Sequence, residues 1–433
     1  MKAKALLIAV IALFCLNVST VKAHWEPTAY NKSAVWLLCE ATNGNLIMAD
    51  DIYPDLGGIY ISQDGGGLWE KCDVGDYAYT AYLVKDESVY LGGVECNVAI
   101  SHNNGETWSN VNFKELLPEA TDNNPIYAME YHKGRIYAAV LTLGIVYSDD
   151  DGITWSLTDL ESLLHDDNPD NGGQWCYNLR SFKGKLYNVG AFGIWEYDDV
   201  ADLWSKVDDR SWAGSSCVVD DVFYVAYNAS GMPDGIRYTT DFQSWEVMPI
   251  PDYLTTSIRC LEYHQGAFFI GHVQEAVFYT MDQGETWIEY RENFPAFSPF
   301  PGLDLYGVPM NLVFSGDKMY CGVFSVDESV GGVFWSPVPD ELITAVSETQ
   351  DVLHPVMYPN PANEFISLQL SKVSENQSAI IITDVMGRVQ YKTIIQNEGA
   401  NEVIIPVKEW NSGIYLCTVI TGESKTTGKF IVE

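Results

Sequence analysis

From Val35 to Pro337 apolar and polar positions alternate in short runs broken by Gly-, Asp- and Asn-rich stretches, the period-two pattern of half-buried strands. Long helix-period apolar runs are absent. Two segments, YAMEYHKGRIYAAV (127–140) and RCLEYHQGAFFIGH (259–272), are near copies, each reading as two strands about a tight turn. After such pairs comes an octet: Ser62-x-Asp64-x-Gly66-x-x-Trp69, Ser101-x-Asn103-x-Gly105-x-x-Trp108, Ser148-x-Asp150-x-Gly152-x-x-Trp155 and Thr280-x-Asp282-x-Gly284-x-x-Trp287. Two worn copies are Tyr197-Asp-Asp199, leading to Trp204 with Ala201 in the glycine slot, and Thr239-Thr-Asp241, leading to Trp245 one residue early.

Each part has a physical task. The Asp side chain accepts bonds from following backbone N–H groups and closes a turn. The Gly takes a positive φ. The Trp resumes the strand and is expected to pack inward. The tryptophans at 69, 108, 155, 204, 245 and 287 are separated by 39, 47, 49, 41 and 42 residues. A period of this length with four short strands per unit marks a β-propeller. Seven units begin near Val35, Tyr79, Tyr127, Tyr177, Ser215, Arg259 and Asn311. The seventh lacks a corner and a fourth strand, so the segment from His24-Trp25 is expected to complete it and close the ring, leaving no free edge.

The octets resemble the Asp-box (BNR-like) repeats of sialidases, sortilin-like receptors and xyloglucan-active glycosidases. The resemblance implies that the corner residues are structural and lie on the face away from the ligand site.

The ends change the picture. Residues 1–23 combine Lys2 and Lys4, an apolar run from Ala5 to Leu16 and small residues before Ala23, the make-up of a cleavable signal peptide. Its three lysines leave with it, so a formal charge of -35 becomes -38. That surface excludes nucleic acid and anionic lipid as partners. Residues 338–354 read as a polar linker. Residues 355–433 alternate again and read as a small β-sandwich. Tyr358-Pro359-Asn360-Pro361-Ala362, the stretch 384–389 (DVMGRV), Gly413-Ile414-Tyr415 and the closing Lys429-Phe430-Ile431-Val432 resemble the C-terminal sorting domain of the type IX secretion system. That resemblance implies a Bacteroidetes-type exporter as partner and a secreted or surface-attached protein.

Eight cysteines follow the signal segment: Cys39, Cys72, Cys96, Cys176, Cys217, Cys260, Cys321 and Cys417. Export permits disulfides, and the apolar settings of Cys39, Cys260 and Cys321 read equally as buried thiols.

The expected fold is therefore all-β: a seven-bladed β-propeller over 24–337 and a β-sandwich over 355–433. Three connections between units are long, 109–125, 156–175 and 288–310, and place ligand-face candidates at Trp175, Phe294, Phe297, Phe300 and Tyr306; Arg180 and Arg259, which lie near inner strands, join them. Asp166, Asn168 and Asp170 form a calcium-loop-like stretch, but its Gly is one place late and no Glu follows at the right distance; no other cofactor is implied. No zinc-type cluster, P-loop, GxGxxG after a strand or GxSxG is present. The arginine-containing sialidase signature is missing. Glu130 and Glu262 fall at equivalent positions, which reads as a repeated packing role. The expected function is a secreted or surface module binding or scaffolding glycan or protein; the alternative is a polysaccharide-acting glycoside hydrolase working through paired carboxylates.

Overall fold

The computed structural model describes residues 24–339 outside 32–33, 51–56, 76, 119, 123, 160–162, 164–174, 228–234, 255–256, 301–302 and 326–329. In the tail it describes 341–342, 356–358, 361–369, 377–384, 388–396, 402–408, 410–421 and 424–432. The chain divides into two compact units at Asp340/Glu341. Apart from a 3-10 turn at Phe113–Glu115, every element named below is a strand.

In the first unit, seven four-stranded antiparallel sheets follow in sequence. Their first strands are Val35–Glu40, Tyr79–Lys85, Ile126–His132, Cys176–Phe182, Ala213–Val219, Ile258–His264 and Val308–Ser315. Each packs on the first strand of the next sheet, and the last packs on Val35–Glu40, so the contacts form a cycle. The fourth strand of the seventh sheet comes from the N-terminal segment: Glu26 pairs with Trp335 and Pro27 with Phe334. Between adjacent sheets the core is apolar and aromatic. Tyr187, Phe223 and Phe242, for example, fill the space between the fourth and fifth sheets, with Tyr187 stacked on Phe242 at 4.5 Å.

The corners joining third to fourth strands share one set of bonds. Ser62, Ser101, Ser148 and Thr280 each donate a side-chain O–H to the acid or amide at the third position, at 2.8–3.0 Å. The same hydroxyl accepts the N–H of Gly66, Gly105, Gly152 or Gly284. Asp64, Asn103, Asp150 and Asp282 accept the N–H four residues on. These backbone donors hold the Asp150 carboxyl below its ordinary range. The glycines combine φ near +90° with a close neighbour: a Cβ on Gly152 would stand 2.7 Å from Ile100 Cδ1 of the preceding sheet. In the worn corner at 197–204 the capping acid is Asp198, which accepts from Val200 and Ala201; Asp199 pairs with Lys133 instead.

The tryptophans depart from the inward expectation. Trp155 and Trp204 are buried, whereas Trp69, Trp108, Trp245 and Trp287 are half-buried. Their indole N–H groups clip loops: Trp108 donates to Gly105 O and Trp287 to Pro249 O. Two of the long connections, 109–125 and 288–310, carry strands of their own. Ser109–Asn112 is a fourth strand, and the 288–310 connection carries a hairpin, Ala296–Phe300 with Leu303–Tyr306.

The tail unit pairs Val356–Tyr358, Phe365–Gln369 and Glu402–Pro406 in one sheet. A second sheet has the order Val389–Gln396, Gln377–Asp384, Gly413–Thr421, Ser424–Val432. Ile366, Ile382, Ile405, Tyr415 and Phe430 are fully or nearly buried in its core.

Candidate functional site

In an antiparallel four-stranded sheet, the start of the first strand and the second-to-third turn share one end, here called the rim. The first-to-second turn and the corner share the other. At that other end the turns are minimal: Lys133-Gly134, Lys183-Gly184 and Gln265-Gly266 all have positive φ at both residues, the geometry of two-residue hairpins.

At the rim, all seven first strands slip by one residue against their second strands. The unpaired residues are Trp36, Thr80, Tyr127, Tyr177, Gly214, Arg259 and Met310. Such a bulge re-aims a side chain and frees backbone groups. Neighbouring first strands use these groups. Thr80 Oγ1 donates to Ile126 O, Asn178 Nδ2 to Gly214 O, Leu261 N–H to Ser215 Oγ and Leu38 N–H to Asn311 Oδ1.

Three residues beyond the slip, the equivalent positions are Cys39, Leu83, Glu130, Arg180, Cys217, Glu262 and Val313. Across the first hairpin, Glu130, Arg180, Cys217 and Glu262 face Tyr137, Tyr187, Tyr224 and Phe269. Arg180 donates through Nε and Nη2 to Ser216 O at 3.0 and 2.8 Å, through Nη1 to Leu179 O and through Nη2 to Asn178 Oδ1. Glu130 and Glu262, in the third and sixth sheets, are each pushed up to about 7 by burial, against a smaller pull from Arg180. Tyr82 of the second sheet is raised by burial and then by Glu262, across the cycle. Tyr82 itself is exposed, 36 % of the residue, and Glu130 and Glu262 are half-buried. The equivalent positions of Glu130 and Glu262 do not make a repeated packing motif. They place two desolvated acids about one arginine, an arrangement that can hold or release a proton near neutral pH.

Closer to the rim, Arg259 is exposed and acts on Tyr177 of the fourth sheet. Tyr177 meets Tyr127 at 6.1 Å between ring centroids. Trp175 is half-buried, 6.3 Å from Phe192, which lies 6.4 Å from Trp212. Neither Phe192 nor Trp212 stood out in the sequence; the strand-flanking "GAFG" at 190–193 was the available signal.

The candidates from the 288–310 connection separate. Phe294 is buried against Trp25 at 5.2 Å and is part of the core, which removes it from any ligand face. Tyr306 is half-buried under the Arg291 guanidinium, and Phe297 is half-buried. The Phe300 side chain and Asp166, Asn168 and Asp170 lie outside the described residues, as do residues 1–23 and most of 338–354. Among the described residues no group of three or more metal-ligating side chains occurs. All eight cysteines are free thiols, six of them buried; burial raises Cys39 to about 12 and Cys96 to about 11.

Fold and tail together define an exported, propeller-like all-β protein. Residues 356–433 match the family model of the secretion system C-terminal sorting domain, which marks the chain for the cell surface or secretion and for handling by the type IX machinery. No helix among the described residues is long and apolar enough to cross a membrane. No curated protein matches the sequence.

Similar solved structures include YCF48 from Cyanidioschyzon merolae, at 12% identity and TM-score 0.51, covering 73% of this chain and 98% of that one. The extracellular domain of BT4673 from B. thetaiotaomicron is 10% identical with TM-score 0.52, over 96% of this chain and 60% of that one. The corresponding domain of BT3049 from the same organism is 10% identical with TM-score 0.51, over 93% and 55%. This chain thus spans little more than half of those two. At such identities the likeness is one of fold.

Proposed function

We propose that the seven sheets are the blades of a closed propeller with Asp-box corners, exported by way of a signal peptide at 1–23. On this reading, a linker at 338–354 joins it to a C-terminal β-sandwich at 355–433. The ring acts at the cell surface as a binding or scaffold module for a glycan or protein, through the rim.

One observation carries this reading: side chains from four sheets come together along the first strands, Tyr127 against Tyr177 at 6.1 Å with Arg259 beside them, and Tyr82 with Glu262 and Arg180. A few polar groups converging among aromatic walls are the usual make-up of a binding site. The opposite end offers two-residue turns and corner acids already occupied by their own backbone. Its exposed Leu68, Ile153 and Val200 belong to three different corners, and scattered exposed apolar residues are ordinary for a surface.

The test is a glycan array and surface-extract pull-down with the purified chain, its Tyr127→Ala/Arg259→Ala variant and a Lys133→Ala control. Ligand lost only in the rim variant supports the reading. Ligand kept there and lost in Lys133→Ala sinks it.

A second reading, glycoside hydrolysis, is favoured by the elevated Glu130 and Glu262. It predicts turnover of a polysaccharide that Glu130→Gln and Glu262→Gln each abolish; turnover unchanged in both excludes it.

A further inference from the structure

Two aromatic residues of the first unit sit in the left-handed backbone region, where a bulky side chain is disfavoured: Phe242 at φ +57° and Trp212 at φ +67°. Phe242 is accounted for by packing. Its ring is buried, stacked on Tyr187 and edged by Phe182 and Phe223. Trp212 has no such return: 48% of it is exposed, and among the described residues its one ring neighbour is Phe192. A strained residue whose side chain points to solvent calls for a functional reason.

The surroundings of Trp212 are built. Ala191 N–H donates to Trp175 O at 2.9 Å, and Trp212 N–H donates to Ala191 O at 2.8 Å. One residue of the second-to-third turn of the fourth sheet thus ties together the segments leading into the fourth and fifth first strands. The turn fits only because glycines flank it. A Cβ on Gly190 would stand 2.1 Å from Trp175 O, and one on Gly193 2.3 Å from Asp208 O. The result holds three rings at fixed, mutually inclined angles: Trp175 to Phe192 at 89° and Phe192 to Trp212 at 49°.

We infer that Trp175, Phe192 and Trp212 form a subsite for one uncharged pyranose unit of a glycan. The inference rests on the rim being the ligand face and names what it takes. Three inclined aromatic walls match the C–H faces of a sugar ring, with the indole N–H groups free to meet hydroxyls. A protein partner needs about 800 Å² on each side, far more than three partly buried rings present. A formal charge of -35 disfavours anionic glycans.

The experiment uses the purified chain with a panel of neutral oligosaccharides (cello-, xylo-, manno-, laminari- and N-acetylchito-pentaose), read by saturation-transfer NMR and tryptophan fluorescence. At least one sugar is expected to bind, and Trp212→Ala and Phe192→Ala to weaken it tenfold or more. Trp212→Gly is expected to lose binding while its thermal midpoint stays or rises, because glycine relieves the left-handed backbone; a structural role would lower it. No binding by any panel member, binding unaltered in Trp212→Ala, or a lowered midpoint in Trp212→Gly overturns the inference. If a protein or other ligand still binds the rim and is lost in Tyr127→Ala/Arg259→Ala, the broader reading stands without this subsite; if nothing binds the rim, both fall.

Discussion

Trp25 donates its indole N–H to the Tyr290 carbonyl at 2.8 Å across 265 residues of sequence. It is 2% exposed and meets Phe294 edge-on. The short pairing of Glu26 and Pro27 with the seventh sheet is therefore pinned by a large buried side chain. Trp25→Ala should destabilise the first unit by about 3–5 kcal/mol, read by urea unfolding. A loss under about 1 kcal/mol would mean that this segment closes nothing.

The corners make a paired prediction. Ser148→Ala removes a buried hydroxyl that serves Gly152 N–H and Asp150, a loss of about 1–3 kcal/mol. Gly152→Ala and Gly134→Ala both place a Cβ at φ near +90°, but Gly134 has nothing within 4 Å whereas Gly152 meets Ile100. Gly134→Ala should therefore cost about 1–2 kcal/mol and Gly152→Ala clearly more. Equal midpoints for the two would remove inter-sheet packing from the role of the corner glycine.

Glu130 and Glu262 set a pH dependence. Their folded values, about 7, lie above the ordinary carboxylate value of 4.5. Between the two the folded state binds more protons than the unfolded one, so stability is greatest below about pH 4.5 as far as these groups decide it. It falls as pH rises to about 7 and is level beyond. Glu262→Gln should flatten that slope and raise the midpoint at pH 8 by a shift corresponding to about 1–3 kcal/mol. An unchanged pH profile in the variant would show that the interior of the cycle is well solvated.

The thiols give a fourth. Buried Cys39, Cys96, Cys176, Cys260, Cys321 and Cys417 should be silent to a thiol reagent at pH 8 until the chain is denatured. Half-buried Cys72, raised to about 11, should react slowly. Reductant should leave the melting temperature unchanged; a drop would reveal a disulfide.

Where the chain's chemistry is local, the letters carried it. Each corner is a set of bonds inside eight residues, from Ser148 to Trp155 for example, so residue types and spacing suffice to specify it. The tail is legible for the same reason, as ordered short motifs matched over 356–433. Local pattern also has limits within one corner: nothing in Tyr197-Asp-Asp199 says which acid caps the turn, because Asp199 is drawn off by Lys133 from another sheet.

What only the tertiary structure decided are relations between residues far apart in sequence. Phe294 looked like a ligand-face aromatic until Trp25 covered it. Glu130 and Glu262 looked like repeats of one packing position until the cycle of first strands brought both under the influence of Arg180. Trp212 became notable only through a backbone angle and the bond from its N–H to Ala191 O, a residue that itself bonds Trp175. Alternation and turn chemistry are written within a strand or a corner, since they depend on nearest neighbours along the chain. Proximity across the cycle depends on how the first strands of seven sheets pack in turn on one another, and no stretch of sequence contains that sum.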